Sequence, residues 1–238
     1  MNFKTIANLK RLAVYSMLLS TISVGFTACS EDDETSTPTP TNTTARVLVA
    51  HASPDAPGVD LLVDNSKVNS TALEFLGSTG YLNVNAGTRN IKVNAAGTST
   101  SVINADVVFV AGKNYSIFAI DSLANISAIV VEDDLTAPAA GKAHIRFIHL
   151  SPNAPAVDVA LTGGSVVWGD YEFLDGSAFA PLDAGTYNLE VRLAGTSTVV
   201  LPLPNIALTA GKIYTVYAKG FVGGTGNQAL GAQIIVNN

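Results

Sequence analysis

Cysteine is almost absent from this chain: Cys29 is the only one among 238 residues. A lone cysteine has no partner within the chain, so no intramolecular disulfide can hold the fold. Basic residues are scarce as well. The chain from Cys29 onward holds ten of the thirteen lysines and arginines and all nineteen acidic residues, which gives a formal charge of −9. These basic residues are scattered singly, whereas a phosphate-binding surface needs them clustered, and nucleic acid is therefore excluded as an expected partner.

A helical apolar stripe is also missing after Cys29. Apolar residues instead alternate with other residues, as in Val157, Val159 and Leu161, and turn-forming pairs such as Ser53-Pro54 interrupt the chain at short intervals. A period of two is the pattern of half-buried β-strands. With about seven such segments in each of two units, the sequence predicts an all-β fold of two tandem immunoglobulin-like β-sandwich domains.

The two units are visible as a repeat. The sequence from Ala45 to Asp60 returns, with substitutions, from Ala143 to Asp158, an offset of 98 residues. Two Ala-Gly-Thr triplets recur at the same offset, but Ala111-Gly112-Lys113 recurs 99 residues later, so the second copy holds one extra residue. Such repetition indicates tandem copies of one domain. We expect the copies to superpose, with the extra residue in the part that corresponds to Thr98 to Ala111, because a slip of register would turn core residues outward.

The N-terminal segment, residues 1–28, resembles a secretory signal that forms a helix. Three basic residues precede an apolar stretch that is too short to span a membrane permanently. The segment ends in Phe26-Thr27-Ala28-Cys29, which resembles the lipobox of bacterial lipoproteins, although Phe26 stands where leucine is common. The resemblance implies that Cys29 is acylated and anchors the protein to the membrane. The alternative is a free thiol behind an ordinary secretory signal.

The segment 29–44 is predicted to be a disordered tether, because its acidic, threonine and proline residues cannot bury enough apolar area to order it. Its acidic run, Ser30-Glu31-Asp32-Asp33-Glu34, resembles the surface-export signal of some Gram-negative lipoproteins. That resemblance implies an outer-membrane lipoprotein that faces the cell exterior, and a plain solvated charge run is the alternative. Beyond the tether we expect the first β-sandwich at 45–135, a linker at 136–142 and the second β-sandwich at 143–238.

Both copies carry a His-x-Ser-Pro motif that continues as Asp or Asn, Ala-Pro and, after one residue, Val-Asp. The motif residues are His51, Ser53, Asp55 and Asp60 in the first copy and His149, Ser151, Asn153 and Asp158 in the second. Together with the Ala-Gly-Thr triplets, this motif resembles the uncharacterised bacterial domain-of-unknown-function family 4397 in both units. The resemblance implies an extracytoplasmic β-domain, often in tandem, and it transfers no catalytic or ligand-binding residue.

The motif contains the residue types of a hydrolase, with a serine nucleophile, a histidine base and a carboxylate, or of a metal site. The exchange of Asp55 for Asn153 argues against both, because an amide is not a general base and rarely replaces a carboxylate ligand. It can still accept a hydrogen bond that closes an Asx turn. We therefore expect a structural motif with neither metal nor cofactor: buried histidines at strand ends, serines that cap the turn, and Asp60 and Asp158 bonded to loop amides.

Two further features are specific to one unit. Trp168 and Tyr171 have no aromatic counterparts in the first copy. Exposed together, they could stack on a sugar ring, although such pairs in sandwiches usually pack in the core. The acidic run Glu132-Asp133-Asp134 has no counterpart either, and we expect it to be a solvated exit from the first unit rather than part of a calcium site.

These features predict a non-catalytic, lipid-anchored protein of the bacterial cell envelope that presents tandem β-sandwiches for binding or assembly. The alternative is a surface module that binds a carbohydrate, a peptide or another protein ligand; a glycan-binding site would need Trp168 and Tyr171 exposed beside a groove. A hydrolase is the third hypothesis. It requires the side chains of His51 and Ser53 at hydrogen-bond distance in a pocket that solvent reaches.

Overall fold

Both units fold as β-sandwiches in the computed structural model, which describes residues 4–6 and 43–238. The predicted all-β fold is confirmed. Of the predicted signal helix only Lys4–Ile6 is described, and its backbone is a short strand, β1, rather than a helix. The rest of that segment, Cys29 and the tether up to residue 42 lie outside the described residues.

The first repeat contains eight strands, with a short 3-10 helix at Leu123–Asn125 between the last two. The strands are β2 (Thr44–His51), β3 (Val59–Val63), β4 (Ser66–Lys67), β5 (Ser78–Asn85), β6 (Gly87–Ala95), β7 (Ser101–Phe109), β8 (Asn114–Ile120) and β9 (Ser127–Asp133).

The second repeat begins at Lys142 and follows the same plan, with a 3-10 helix at Gly226–Gln228 before its last strand. Its strands are β10 (Lys142–His149), β11 (Val157–Leu161), β12 (Val166–Tyr171), β13 (Ala180–Asp183), β14 (Gly185–Leu193), β15 (Val199–Leu208), β16 (Ile213–Lys219) and β17 (Gly231–Val236).

Each sheet takes its strands from a single repeat, apart from β1, which pairs antiparallel with the edge of β9. In the first repeat the orders are β9-β8-β2-β5 and β4-β3-β6-β7, and in the second they are β17-β16-β10-β13 and β12-β11-β14-β15. The pairs β2–β8 and β10–β16 are parallel, and the other pairs are antiparallel. The two repeats therefore share one topology.

A separate core fills each sandwich. Val47 and Val49 of β2 face the first core, and Ile145 and Phe147 of β10 occupy the same places in the second. Successive side chains of a strand point to opposite faces, so this placement fixes the register of both strands.

The extra residue of the second copy lies inside a strand. In the first repeat β6 and β7 pair without interruption from Gly87 to Val93, whereas the pairing of β14 with β15 shifts between Tyr187 and Leu189. The shift places Asn205, whose φ is +59°, in a bulge of β15. Asparagine tolerates this left-handed conformation better than most residues. A bulge absorbs the added residue and leaves the inward-facing positions on either side unchanged.

A third apolar core joins the two repeats. The outward-facing side chains of β2, β8 and β9 pack against those of β10, β16 and β17, including Leu48, Phe118, Ile148 and Tyr217. The rings of Phe118 and Tyr217, which correspond to each other in the two copies, lie 5.7 Å apart, edge to face. Each such buried side chain contributes about 1.5–3 kcal/mol. The repeats thus contact each other through the same face and form one body of four stacked sheets.

Candidate functional site

The motif histidine of the first repeat is completely buried at the end of β2. Its Nε2 lies 3.0 Å from the carbonyl oxygen of Pro57, and its Nδ1 accepts a hydrogen bond from the backbone N–H of Ser53 at 3.3 Å. These two bonds require a neutral ring with its proton on Nε2. Burial lowers the pKa of His51, which agrees with the neutral form.

The second repeat keeps the contact with the proline carbonyl but not the second bond, because His149 Nδ1 has no hydrogen-bond partner among the described residues. His149 is buried at the end of β10, and its Nε2 lies 3.3 Å from the carbonyl oxygen of Pro155. Burial lowers the pKa of His149 as well. Each histidine therefore ties the strand end to the loop that follows it, as the sequence predicts.

Asp55 and Asn153 also make equivalent bonds, but to a distant loop instead of the Asx turn predicted from the sequence. Asp55 Oδ1 accepts from the backbone N–H of Leu123 at 2.7 Å, and Asn153 Oδ1 accepts from that of Val222 at 2.8 Å. Both amides follow the strand that lies parallel to the motif strand. Only an acceptor oxygen is needed, which explains why aspartate and asparagine exchange.

The motif serines differ between the repeats. Ser151 Oγ donates to the carbonyl oxygen of Gly220 at 2.6 Å. Ser53 Oγ is buried and has no hydrogen-bond partner within the described part of the chain. His51 bonds the backbone of Ser53 and not its hydroxyl, and both side chains are fully buried. The solvent-reached histidine–serine pair that a hydrolase requires is therefore not formed in this geometry.

Asp60 and Asp158 bind loop amides, as predicted. Asp60 Oδ2 accepts from the backbone N–H of Gly97 at 3.0 Å, and Asp158 Oδ2 accepts from that of Gly195 at 2.9 Å. Both glycines belong to Ala-Gly-Thr triplets at a hairpin turn. Each motif therefore also holds the hairpin that joins β6 to β7 or β14 to β15.

The exposed aromatic pair that a glycan-binding site would need is not present among the described residues. Trp168 is 8% exposed and stacks on Phe147 in the second core, with ring centroids 6.2 Å apart. Tyr171 is half-buried and meets the same phenylalanine edge to face at 5.8 Å. The indole is buried, so the two rings form the core contact that is usual for such pairs and not a stacking site for a sugar.

Among residues 4–6 and 43–238 there is no group of three or more His, Cys, Asp or Glu side chains that could hold a metal ion. The same residues form no helix long and apolar enough to cross a membrane.

An ion pair buried between the repeats is the feature that sequence reasoning missed. Arg146 Nη2 lies 2.7 Å from Asp133 Oδ1, and both side chains are at most 2% exposed. Asp133 belongs to the acidic run expected to be solvated, so that expectation is wrong for this residue. The guanidinium also lies 4.3 Å from the ring centroid of Phe179.

Hydrogen bonds from both repeats surround this ion pair. Ser116 and Tyr81 donate to Asp133 Oδ2 at 2.7 and 2.6 Å, and Arg146 Nε donates to Thr215 at 2.9 Å. Thr215 donates to Asn237 Oδ1 at 2.8 Å, and the amide of Asn237 donates to Tyr81 at 3.1 Å. The network crosses the interface in both directions, and it fixes the orientation of one repeat on the other.

The repeat itself contains a signal for this network. Arg146 corresponds to Leu48, and Asp133 corresponds to Asn237. One copy thus has a cation and the other an anion on the outward faces that meet, each without a charged counterpart in its sister repeat. The observation that could have revealed it is a charged residue inside a strand, Arg146, at a position where the sister repeat has the apolar Leu48.

Comparison with known proteins shows a similarity to one family whose function is unknown. A search of curated proteins found no match. Residues 45–160 match the model of a family described as a domain of unknown function (DUF4397), and this range covers the first sandwich and extends into β11 of the second repeat. These residues, which include both copies of the motif, are similar to that family.

Proposed function

We propose that this protein is a non-catalytic, lipid-anchored protein of the bacterial cell envelope that presents two fused β-sandwiches as one stiff body for binding or assembly. The observation that carries the proposal is that the side chains of the repeated motif are buried or bonded to the backbone of loops. Its histidines are buried and neutral, and its carboxylate or amide groups are bonded to loop amides. Groups in these positions stabilise loops, and a substrate could not reach them without opening the fold.

The interface between the repeats supports the second part of the proposal. Tandem domains joined only by a linker move relative to each other, whereas a large apolar contact holds them together. Here the contact combines the third core with the network around Asp133 and Arg146. A body of this kind holds its outer sheets and loops at fixed separations, which suits a protein that presents surfaces.

The anchor is supported by the sequence around Cys29, which ends a short apolar stretch and precedes an acidic, proline-containing segment. Mass spectrometry of the membrane fraction should find a chain that begins at Cys29 and carries added fatty acyl mass. A Cys29→Ala chain should lose that mass and leave the membrane fraction. If this variant remained bound to the membrane, the anchor would be refuted.

Exposure on the cell exterior is tested separately. Protease added to intact cells should remove the sandwiches of the parent chain. Alanine in place of the four acidic residues at 31–34 should protect the chain while leaving the acylation unchanged. Cleavage that is equal in the two chains would exclude a role for the acidic run in export, and protection of both would place the protein inside the outer membrane.

A further inference from the structure

Strand β7 is an open edge of the sheet β4-β3-β6-β7. It is nine residues long, and within the described part of the chain its only strand partner is β6. An edge strand presents a row of unpaired N–H and C=O groups to which another strand can bond. Val108 on this strand is 65% exposed, so the edge is also partly apolar.

The corresponding strand of the second repeat is blocked. Strand β15 contains Pro202 and Pro204, and the bulge at Asn205 follows directly. Prolines and bulges are the devices by which natural sheets prevent an edge from pairing. Strand β7 has no proline, and its one irregularity lies at its beginning, where Ser101 pairs with Asn94. Two copies of one domain thus differ in whether this edge is open.

Two bonds at the end of β6 show which backbone groups of β7 are free. Ala95 N–H donates to Thr100 on the β7 side, and Ala96 N–H donates to Gly58 on the β3 side. Since backbone groups alternate along a strand, the odd-numbered residues of β6 bond towards β7. They pair with the odd-numbered residues of β7, with Ala105 at the centre. Past the irregularity at Val102, the residues whose N–H and C=O point to the open edge are Asn104, Asp106 and Val108.

We propose that strand β7 pairs antiparallel with strand β7 of a second copy of this chain, with Ala105 opposite Ala105 of the partner copy. In this register Asp106 faces Asn104 of the partner copy, so one polar pair forms on each side of the two-fold axis. Moving the axis by one residue would place Asp106 opposite Asp106, which is unfavourable. The contact is isologous, and it closes as a dimer with one continuous eight-stranded sheet.

This inference names a partner for the assembly role proposed above, but it does not depend on the lipid anchor. The test uses single cysteine variants of the full chain in isolated membranes, oxidised and separated on non-reducing gels. Directly opposed residues in a non-hydrogen-bonded pair have Cα atoms about 4.5 Å apart, within reach of a disulfide. Ala105→Cys should therefore give a disulfide-linked dimer. Asp106→Cys should not, because the two copies of this residue are diagonal neighbours about 7–8 Å apart.

The second repeat supplies the matched control. Leu203→Cys occupies the corresponding position on the blocked edge and should remain monomeric, as should the parent chain with Cys29 alone. Adding Asn104→Pro to the Ala105→Cys chain should abolish the dimer while thermal unfolding stays unchanged, because Pro202 already stands at the corresponding position of the second repeat.

Three outcomes would overturn the proposal. They are an Ala105→Cys chain that stays monomeric, one that dimerises no more than Leu203→Cys, and an Asp106→Cys chain that dimerises better, which would mean another register. Failure to dimerise in a chain that remains in the membrane fraction would refute the pairing and leave the anchored protein intact.

Discussion

Replacing Arg146 by methionine isolates the energy of the ion pair between the repeats. The variant keeps most of the side-chain volume, but it leaves the carboxylate of Asp133 buried without its cation, with Tyr81 and Ser116 still donating to it. Removing one partner of a buried ion pair destabilises a protein by about 3–5 kcal/mol. We expect a loss of that size in the free energy of unfolding, measured with urea.

The double variant Arg146→Met with Asp133→Asn tests the reason for this loss. The asparagine keeps an oxygen that accepts from Tyr81 and Ser116 but carries no charge. We expect the double variant to recover most of the stability, with a coupling free energy of roughly 2–3 kcal/mol in a double-mutant cycle. A single variant that costs less than about 1 kcal/mol, or a double variant no more stable than the single one, would show that the charges are solvated and that the repeats do not hold each other through this network.

Three further predictions concern the motif. Ser53→Ala should leave the free energy of unfolding in urea unchanged or slightly higher, because the buried Ser53 hydroxyl has no partner in the described part of the chain. Ser151→Ala should lower that free energy by about 1 kcal/mol, because it removes the bond to Gly220. Asp55→Asn should be neutral because an acceptor oxygen remains, while Asp55→Ala should cost about 1 kcal/mol; equal losses in both would contradict the contact with the Leu123 amide. Burial lowers the pKa of both motif histidines below the unfolded value of about 6.5, so the unfolded chain binds more protons and stability should fall as the pH drops below that value. The slope of unfolding free energy between pH 7 and pH 5 should flatten in a His51→Gln, His149→Gln chain.

The sandwich architecture could be predicted because local alternation decides it. Val157 and Val159 show which face of a strand is buried before any partner of that strand is known. The sequence repeat shows that there are two domains. The bonds of Asp60 to a loop amide could be anticipated for a related reason, since an aspartate on an outward face beside a glycine turn has few other partners. The partner of Asp55 could not, because Leu123 is brought near it only by the parallel pairing of β2 with β8.

The interface between the repeats could not be predicted from the alternation of apolar residues. Strand β2 is buried on both faces, so Leu48 and Ala50 read as part of a continuous apolar run that says nothing about what covers its second face. The burial of Asp133 could not be predicted for a similar reason. It follows an acidic neighbour at a strand end, and only the apposition of a second repeat that carries Arg146 makes it a buried residue.

The most direct test of the account is the replacement of each motif histidine, His51 and His149, by alanine. Urea unfolding of each variant would be measured beside a screen of hydrolase substrates and divalent metals on the intact protein. The account predicts that either substitution removes ring packing and leaves a proline carbonyl unpaired, so that the free energy of unfolding falls by about 2–4 kcal/mol, with no activity or metal-induced stabilisation in the parent. Variants that unfold like the parent, together with an activity or metal response that they lose, would contradict the structural role and assign the motif to chemistry.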